Sequence, residues 1–313
     1  MAKESRINKK RFIVLESCFI LLIIFSLIGT YYFYRKSLVI NNNSYNLRTI
    51  LLEKEKIYSN KKDKLNELNK KIKDYDDIDK AINNIQTEYF LSIKKLEDDI
   101  LSGKSNRKIA YLTFDDGPYY NTYRVLDILR DKDVKATFFT ISMNGEYCYD
   151  NRSENCFVMY NEYLKGGHTI ANHTYTHAIR GGLYDSEYSF INAIERQEEH
   201  IKNQTNGYIT NIVRFPGGSS QAKELKNPII ERLREKGYGW VDWSANDGDG
   251  KALYSKEQAW NNLYSTVNDN IEVILFHDYN GITTEILPDV IDYLRNNGYE
   301  LYPLFYESNM INK

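Results

Sequence analysis

The chain has 313 residues, a net charge of −2 and a hydrophobic share of 42%, enough apolar matter for one large folded unit or two smaller ones. That charge excludes a whole-chain electrostatic footprint for nucleic acid, and three cysteines are too few for a disulfide scaffold. An aromatic share of 14%, including 27 tyrosines, suits a carbohydrate ligand.

Residues 1–11 form a basic tail, with Lys3, Arg6, Lys9, Lys10 and Arg11 against Glu4. Residues 12–34 are almost wholly apolar, and about 20 such residues span a bilayer. The excess of positive charge before the run predicts a cytoplasmic tail and a single-pass anchor in the cell membrane, with everything after it extracellular. A cleaved signal peptide is the competing reading. Its apolar region is about 7–15 residues and ends in a small-residue site, whereas this run is longer and ends in Leu-Ile-Gly-Thr-Tyr-Tyr.

Residues 35–106 predict a helical stalk. From 47 to 101 there is neither proline nor glycine, and Leu65, Leu68, Ile72 and Tyr75, then Ile78, Ile82, Ile85, Tyr89, Ile93, Leu96 and Ile100 recur at helical spacing. So narrow an apolar stripe favours a coiled coil, and hence homo-oligomer formation through the stalk. A register change falls at Tyr75–Ile78. Ser102-Gly-Lys-Ser-Asn106 breaks the helix and sets the domain boundary at 107.

Across 107–313 strand and helix patterns alternate. Strands are predicted at 109–114, 136–141, 169–172, 212–215, 238–243, 272–276 and 299–301, with helices at 122–132, 157–165, 186–203, 229–236, 256–268 and 284–296. Such alternation implies an α/β fold with parallel strands, and this many units suggest a closed or nearly closed (β/α) barrel of about seven strands. Chemistry in such folds sits at the carboxyl ends of the strands. Cys148 and Cys156 flank a polar loop, where a local disulfide and two free thiols both fit.

The strand ends carry the chemistry. The first strand stops at Asp115-Asp116-Gly-Pro, two carboxylates that repel unless a cation sits beside them or their roles differ. After the third strand come His173 and His177, four apart, which converge on one ion if the segment turns helically. Two imidazoles and a carboxylate make a three-ligand site with open positions, the pattern of catalytic zinc. Arg214-Phe-Pro-Gly-Gly218 follows the fourth strand, where Arg can hold a carboxylate and the glycines let backbone N–H groups approach an anion. Trp243 to Asp249 follows the fifth, and His277 leaves the sixth as a candidate acid or base. His168, at the wrong end of its strand, and His200, on a charged helix, suit structural or surface roles.

Taken in order over 108–305, the motifs Thr-Phe-Asp-Asp-Gly-Pro, His-Thr-x-x-His, Arg-x-Pro-x-Gly, Trp-x-x-x-x-x-Asp and Leu-x-His resemble the polysaccharide deacetylase family, the NodB-homology carbohydrate esterases of family four. The resemblance implies a distorted (β/α) barrel. It makes Asp115 the general base and gives a divalent metal, usually Zn2+, to Asp116, His173 and His177. It has Arg214 bracing the base, the Gly217 backbone N–H at the oxyanion position, and His277 as general acid. Asp249 is then the carboxylate that tunes either the acid or the arginine. Three positions depart from the family pattern: Gly250 where an aromatic often stands, Asn246 where Asp is common, and Ser142 where Gly often follows the second strand. They bear on pocket shape rather than on the metal centre.

With the anchor and stalk, the resemblance implies an enzyme that removes N-acetyl groups from N-acetylglucosamine in cell-wall peptidoglycan. The alternatives are a deacetylase of a secreted exopolysaccharide or chitin-like oligomer, an O-acetyl esterase, and a non-catalytic surface scaffold.

Overall fold

The computed structural model describes residues 2–37, 44–119, 121–142, 153–253 and 255–305. Cys148 and the side chain of Cys156 lie outside the described residues, as do the side chains at the expected register change near Tyr75 and Ile78. The chain divides into two compact units, Glu4–Thr87 and one that begins at Glu88.

The first unit holds helix α1 (Ala2–Ser37) and the leading part of helix α2 (Ser44–Leu101). Within α1, Glu16–Phe33 is long and apolar enough to cross a membrane, with a mean hydropathy of 1.8. Phe25 is 71% exposed and Leu22 66%. Such a face suits an anchor and equally a signal sequence.

In the second unit eight strands make one all-parallel sheet among the described residues: β1 (Lys108–Asp115), β2 (Thr137–Thr140), β3 (Thr169–Asn172), β4 (Ile212–Val213), β5 (Gly239–Trp240), β6 (Ala245–Asn246), β7 (Ile271–His277) and β8 (Tyr299–Leu301). Seven run in the order β5-β4-β3-β2-β1-β7-β6, and β8 pairs with β1. The ends of that path, β5 and β6, do not pair, so the barrel is an open half-barrel. Strand β7 takes one whole edge of β1. The other edge is shared, with β8 beside Lys108–Ala110 and β2 beside Thr113–Asp115. The strand absent from the sequence reading is β6. It has only two residues, too few to produce a period-two pattern.

Helices α3 (Thr122–Asp131), α4 (Ser153–Lys165), α5 (Glu187–Thr205), α6 (Lys226–Glu235), α7 (Lys256–Thr266) and α8 (Gly281–Asn296) alternate with the strands. Their ends follow local chemistry. The Ser186 hydroxyl accepts from Ser189 N–H at the start of α5, and Ser255 accepts from Gln258 N–H at the start of α7. Asn206 closes α5 in the left-handed conformation.

Side chains alternate faces along β1. Ile109 and Tyr111 point into the barrel and pack with Phe139, Ala171, Ile212, Val241, Ile271 and Val273. Ile100, with Leu96 beside it, joins that cluster from the end of α2. Nearby, Phe90 stacks on Phe305 at 4.9 Å, and buried Glu97 accepts a hydrogen bond from the Tyr111 hydroxyl. The last turns of α2 therefore plug the barrel near the amino ends of its strands. The compact unit starts at Glu88 inside α2, ahead of the expected boundary at 107. A stripe that packs on a barrel has the same spacing as a coiled-coil seam, so periodicity could not separate the two.

Candidate active site

Higher in the same inward row, β1 turns polar. Thr113 and then Asp115 follow Tyr111, and Asp115 is buried where the strand stops. Arg214, two residues after Ile212 and just past β4, comes to meet them. Its guanidinium is wholly buried and lies 4.1 Å above the Phe139 ring. Nη1 donates to Asp115 Oδ1 and to Thr113 Oγ1, each at 2.8 Å. Nη2 donates to the Asp242 carbonyl at 2.9 Å and Nε to the Val241 carbonyl at 3.3 Å. Burial pulls the guanidinium pKa down, and the charge of Asp115 opposes that shift. The second Asp115 oxygen, Oδ2, faces His173 Nε2 at 3.5 Å.

Asp116 adopts a left-handed backbone, φ 71°, which turns its side chain out of the strand's alternation. Its Oδ1 lies 3.6 Å from both His173 Nε2 and His177 Nε2. One ligand atom from each of the three residues lies within 4.8 Å of the others. The histidines do not converge through a helical turn, as the sequence reading required. Thr174 and His177 are both left-handed, at φ 68° and 52°. Thr174 N–H donates to Asn172 Oδ1 at 2.9 Å and His177 N–H to Thr174 Oγ1 at 3.2 Å, folding the segment into a tight turn. Side-chain polar groups thus replace the helical ladder. Strained φ values on three residues of one cluster are characteristic of a functional site.

The donor set suits a divalent ion. His173 Nδ1 lies 2.9 Å from the Arg214 carbonyl, which can only accept, so Nδ1 carries the proton and Nε2 presents its lone pair. Burial lowers the His173 pKa, against the pull of Asp115, and keeps the ring neutral as a ligand must be.

Across the cavity stands His277, the last residue of β7. Asp249 Oδ1 accepts from its Nδ1 at 2.7 Å, and Asp249 Oδ2 accepts from its backbone N–H at 2.6 Å. Burial pulls its pKa down, but the hydrogen bond and charge of Asp249, with Asp115 and Asp116, outweigh it and raise the value to about 9. Nε2 then faces Asp116 Oδ2 at 3.8 Å. Asp249 serves His277, whereas Arg214 is held by Asp115, Thr113 and two carbonyls.

Asp115, Asp116, His173, His177, Asp249 and His277 line one cavity of about 800 Å³, together with Gly217, Trp243, Gly250 and Tyr279, while Arg214 lies behind it. Gly217 is left-handed, φ 73°. A Cβ on Gly250 would lie 3.2 Å from His277 Cε1, so the missing side chain leaves that ring uncrowded. Tyr279, 39% exposed, sits beside His277 with ring centroids 5.2 Å apart. Ser142 lies off the cavity, its hydroxyl bonded to Gln197. His168 is buried and accepts from Ala136 N–H, a structural role, and half-buried His200 packs against Tyr160 and Tyr175.

Several residues at the site were missed from sequence. Asp242 accepts from Ser219 N–H and Oγ and so anchors the 3-10 turn after the Gly217 loop. Asp247, Thr283 and Asp278 are buried around His277. Burial raises the Asp278 pKa to about 7, and a Cβ on residue 117 would meet Asp278 Oδ2 at 2.6 Å, so a side chain there would displace that carboxylate. Asp247 and Asp278 each adjoin a motif residue, but nothing in their spacing distinguishes them from ordinary loop carboxylates.

An open half-barrel whose strand ends gather a carboxylate and two imidazoles, beside a second carboxylate and an opposed imidazole, is equipped for metal-assisted hydrolysis. A family model described as polysaccharide deacetylase matches residues 102–238. The chain is 34% identical over 199 residues to the putative polysaccharide deacetylase YheN of Bacillus subtilis, covering 61% of this chain and 65% of that protein. It is 30% identical over 211 residues to a peptidoglycan-N-acetylglucosamine deacetylase of Bacillus cereus, covering 65% of this chain and 71% of that protein. The solved catalytic domain of a peptidoglycan N-acetylglucosamine deacetylase from Eubacterium rectale superimposes with a TM-score of 0.59 at 31% identity, covering 66% of this chain and 93% of that one. The chain belongs to the polysaccharide deacetylase family.

Proposed function

We propose that the protein hydrolyses N-acetyl groups on N-acetylglucosamine residues of cell-wall peptidoglycan, releasing acetate and leaving a free amine. The observation that carries this reading is the pairing, across one cavity, of the Asp116–His173–His177 triad beside Asp115 with the His277–Asp249 couple. The relatives from Bacillus cereus and Eubacterium rectale, whose names specify that glycan, support the substrate.

Asp116, His173 and His177 are the residues that would hold a divalent ion, which we take to be Zn2+. When bound, such an ion supplies a Lewis acid that polarises the acetyl carbonyl and makes water more acidic. Asp115 acts as general base: Arg214 holds Oδ1, leaving Oδ2 to take a proton from the attacking water. The Gly217 backbone N–H donates to the oxyanion, a contact worth about 3–4 kcal/mol in the transition state. His277, held protonated by Asp249, gives its Nε2 proton to the leaving amine. Carbon–nitrogen cleavage then yields acetate and glucosamine.

The helix at Glu16–Phe33 serves in this reading as a single-pass anchor, and α2 as a stalk that pairs with a second copy and presents the catalytic unit to the wall. The test is acetate release by the full chain in detergent from purified wall, secreted exopolysaccharide, chitin oligomers and O-acetylated xylan, each with and without chelator. Release from wall alone, abolished by chelator, supports the reading. Release only from another glycan moves the substrate, and no release from any of them removes the activity.

A further inference from the structure

Behind the His277–Asp249 couple lies a second buried carboxylate, Asp247, which the reaction above does not use. The Thr283 hydroxyl, on the first turn of α8, sits 2.7 Å from Asp247 Oδ2 and 2.9 Å from Asp249 Oδ2. A hydroxyl has one proton to donate. A three-centre bond would split that proton between two anionic oxygens, whereas a proton on one of the two acids makes both contacts full hydrogen bonds and removes the repulsion between them. Both oxygens of Asp249 are already committed to accepting, Oδ1 from the His277 ring and Oδ2 from the His277 backbone. Asp247 Oδ1 accepts from Asp249 N–H at 3.1 Å, which leaves Asp247 Oδ2 as the place for the proton.

We propose that Asp247 is a positioning residue for the proton donor: a neutral carboxylic acid whose Oδ2–H donates to Thr283 Oγ1, so that Thr283 donates to Asp249 Oδ2 and Asp249 remains the single anion that orients His277. The surroundings fit. Burial first, and then the charge of Asp249, raise the Asp247 pKa to about 8. Among the described residues no cation opposes this. From α7, Asn262 Nδ2 donates to its carbonyl, from α8 the Thr283 hydroxyl meets its carboxyl, and the His277 ring at the end of β7 is paired with Asp249. Two adjacent buried carboxylates carrying one proton between them avoid the repulsion that two anions would suffer.

The inference rests on His277 being the proton donor, and the experiment keeps the two apart. Infrared difference spectra of the full chain in detergent, wild type minus D247N, read the Asp247 protonation state without any turnover. A protonated carboxylic carbonyl band present at pH 6 and absent from D247N supports the proposal. A difference containing only carboxylate bands at pH 6 overturns it, whatever the activity. Kinetics then test the relay. T283V is expected to lower kcat/KM at neutral pH roughly tenfold, as loss of an outer partner commonly does, and to move the alkaline limb to lower pH, with both restored in T283S. D247N is expected to keep the wild-type alkaline limb, because an amide N–H replaces the acid O–H as donor to Thr283. A D247N limb displaced as far as that of D249N would mean that Asp247 carries the charge, and the relay would be wrong.

Discussion

Arg214 Nη1 and Asp115 Oδ1 lie 2.8 Å apart with side-chain exposures of 0% and 3%, so the ion pair is buried, with only the Asp115 carboxylate reaching the cavity. Removing one partner of such a pair leaves an uncompensated buried charge, a cost of about 3–5 kcal/mol. R214M should therefore lower unfolding stability by about that amount, measured by urea denaturation, and abolish acetate release. R214K keeps the charge but loses the fork that reaches Thr113, Asp115 and the Asp242 carbonyl together, and should retain more stability than activity.

Metal content is the direct test of the triad. D116A, H173A and H177A should each lower the bound metal per chain, measured by elemental analysis after dialysis, whereas D249N should leave it at the wild-type value. Metal added to stripped protein should raise Tm by mass action, since the three ligands converge only in the folded chain.

His277 sets the expected alkaline limit. Its folded-state pKa, raised to about 9 from the ordinary 6.5, means that the imidazolium stabilises the fold fully below about 6.5, and that this contribution is lost as pH rises through about 9. The descending limb of kcat/KM should therefore lie above that of an ordinary histidine. D249N should shift it to lower pH, because the hydrogen bond and charge that hold the proton are gone. An unmoved limb in D249N would assign the alkaline step to another group.

His168 carries the opposite sign. Burial lowers its pKa to about 3, so the unfolded chain takes up a proton near 6.5 that the folded chain refuses. Stability should fall as pH drops from about 6.5 toward about 3, measured by denaturant midpoints at several pH values. H168N should flatten that part of the curve, even if it lowers the whole of it through the lost Ala136 contact.

The end of α2 should prove part of the catalytic unit. A fragment starting at Glu88 is expected to fold, while one starting at Lys108 leaves Ile109, Ile271 and Leu304 without the cover of Leu96 and Ile100. I100A in the full chain should cost about 2–5 kcal/mol if its cavity stays unfilled. Equal melting temperatures for the two fragments would show that the plug adds nothing.

Much of the half-barrel was legible in the residues. Apolar, β-branched and aromatic runs such as 109–114 and 272–276 announce buried parallel strands, and polar residues where each run stops announce the face that bears chemistry. Asp115, Asp116, His173, Arg214 and His277 stand at or just past such stops and His177 four residues on, while Asp249 and the role of each residue came from the motif resemblance. Strand β6, the left-handed turn at Thr174 and His177, and the plug formed by Leu96 and Ile100 were not legible. The first is too short for a period, the second depends on side chains of Asn172 and Thr174 capping a turn, and the third shares its spacing with a coiled coil.

The amino-acid order by itself determined the helical lead, the alternation of strand and helix, and the chemical types placed at the strand ends, because these depend on near neighbours and on which face is buried. Only the tertiary structure decided that Asp249 serves His277 rather than Arg214, and that Thr283 bridges Asp249 and Asp247. Those pairings join residues 28 to 36 positions apart, through distances that packing of α8 and β7 sets and that no local pattern encodes.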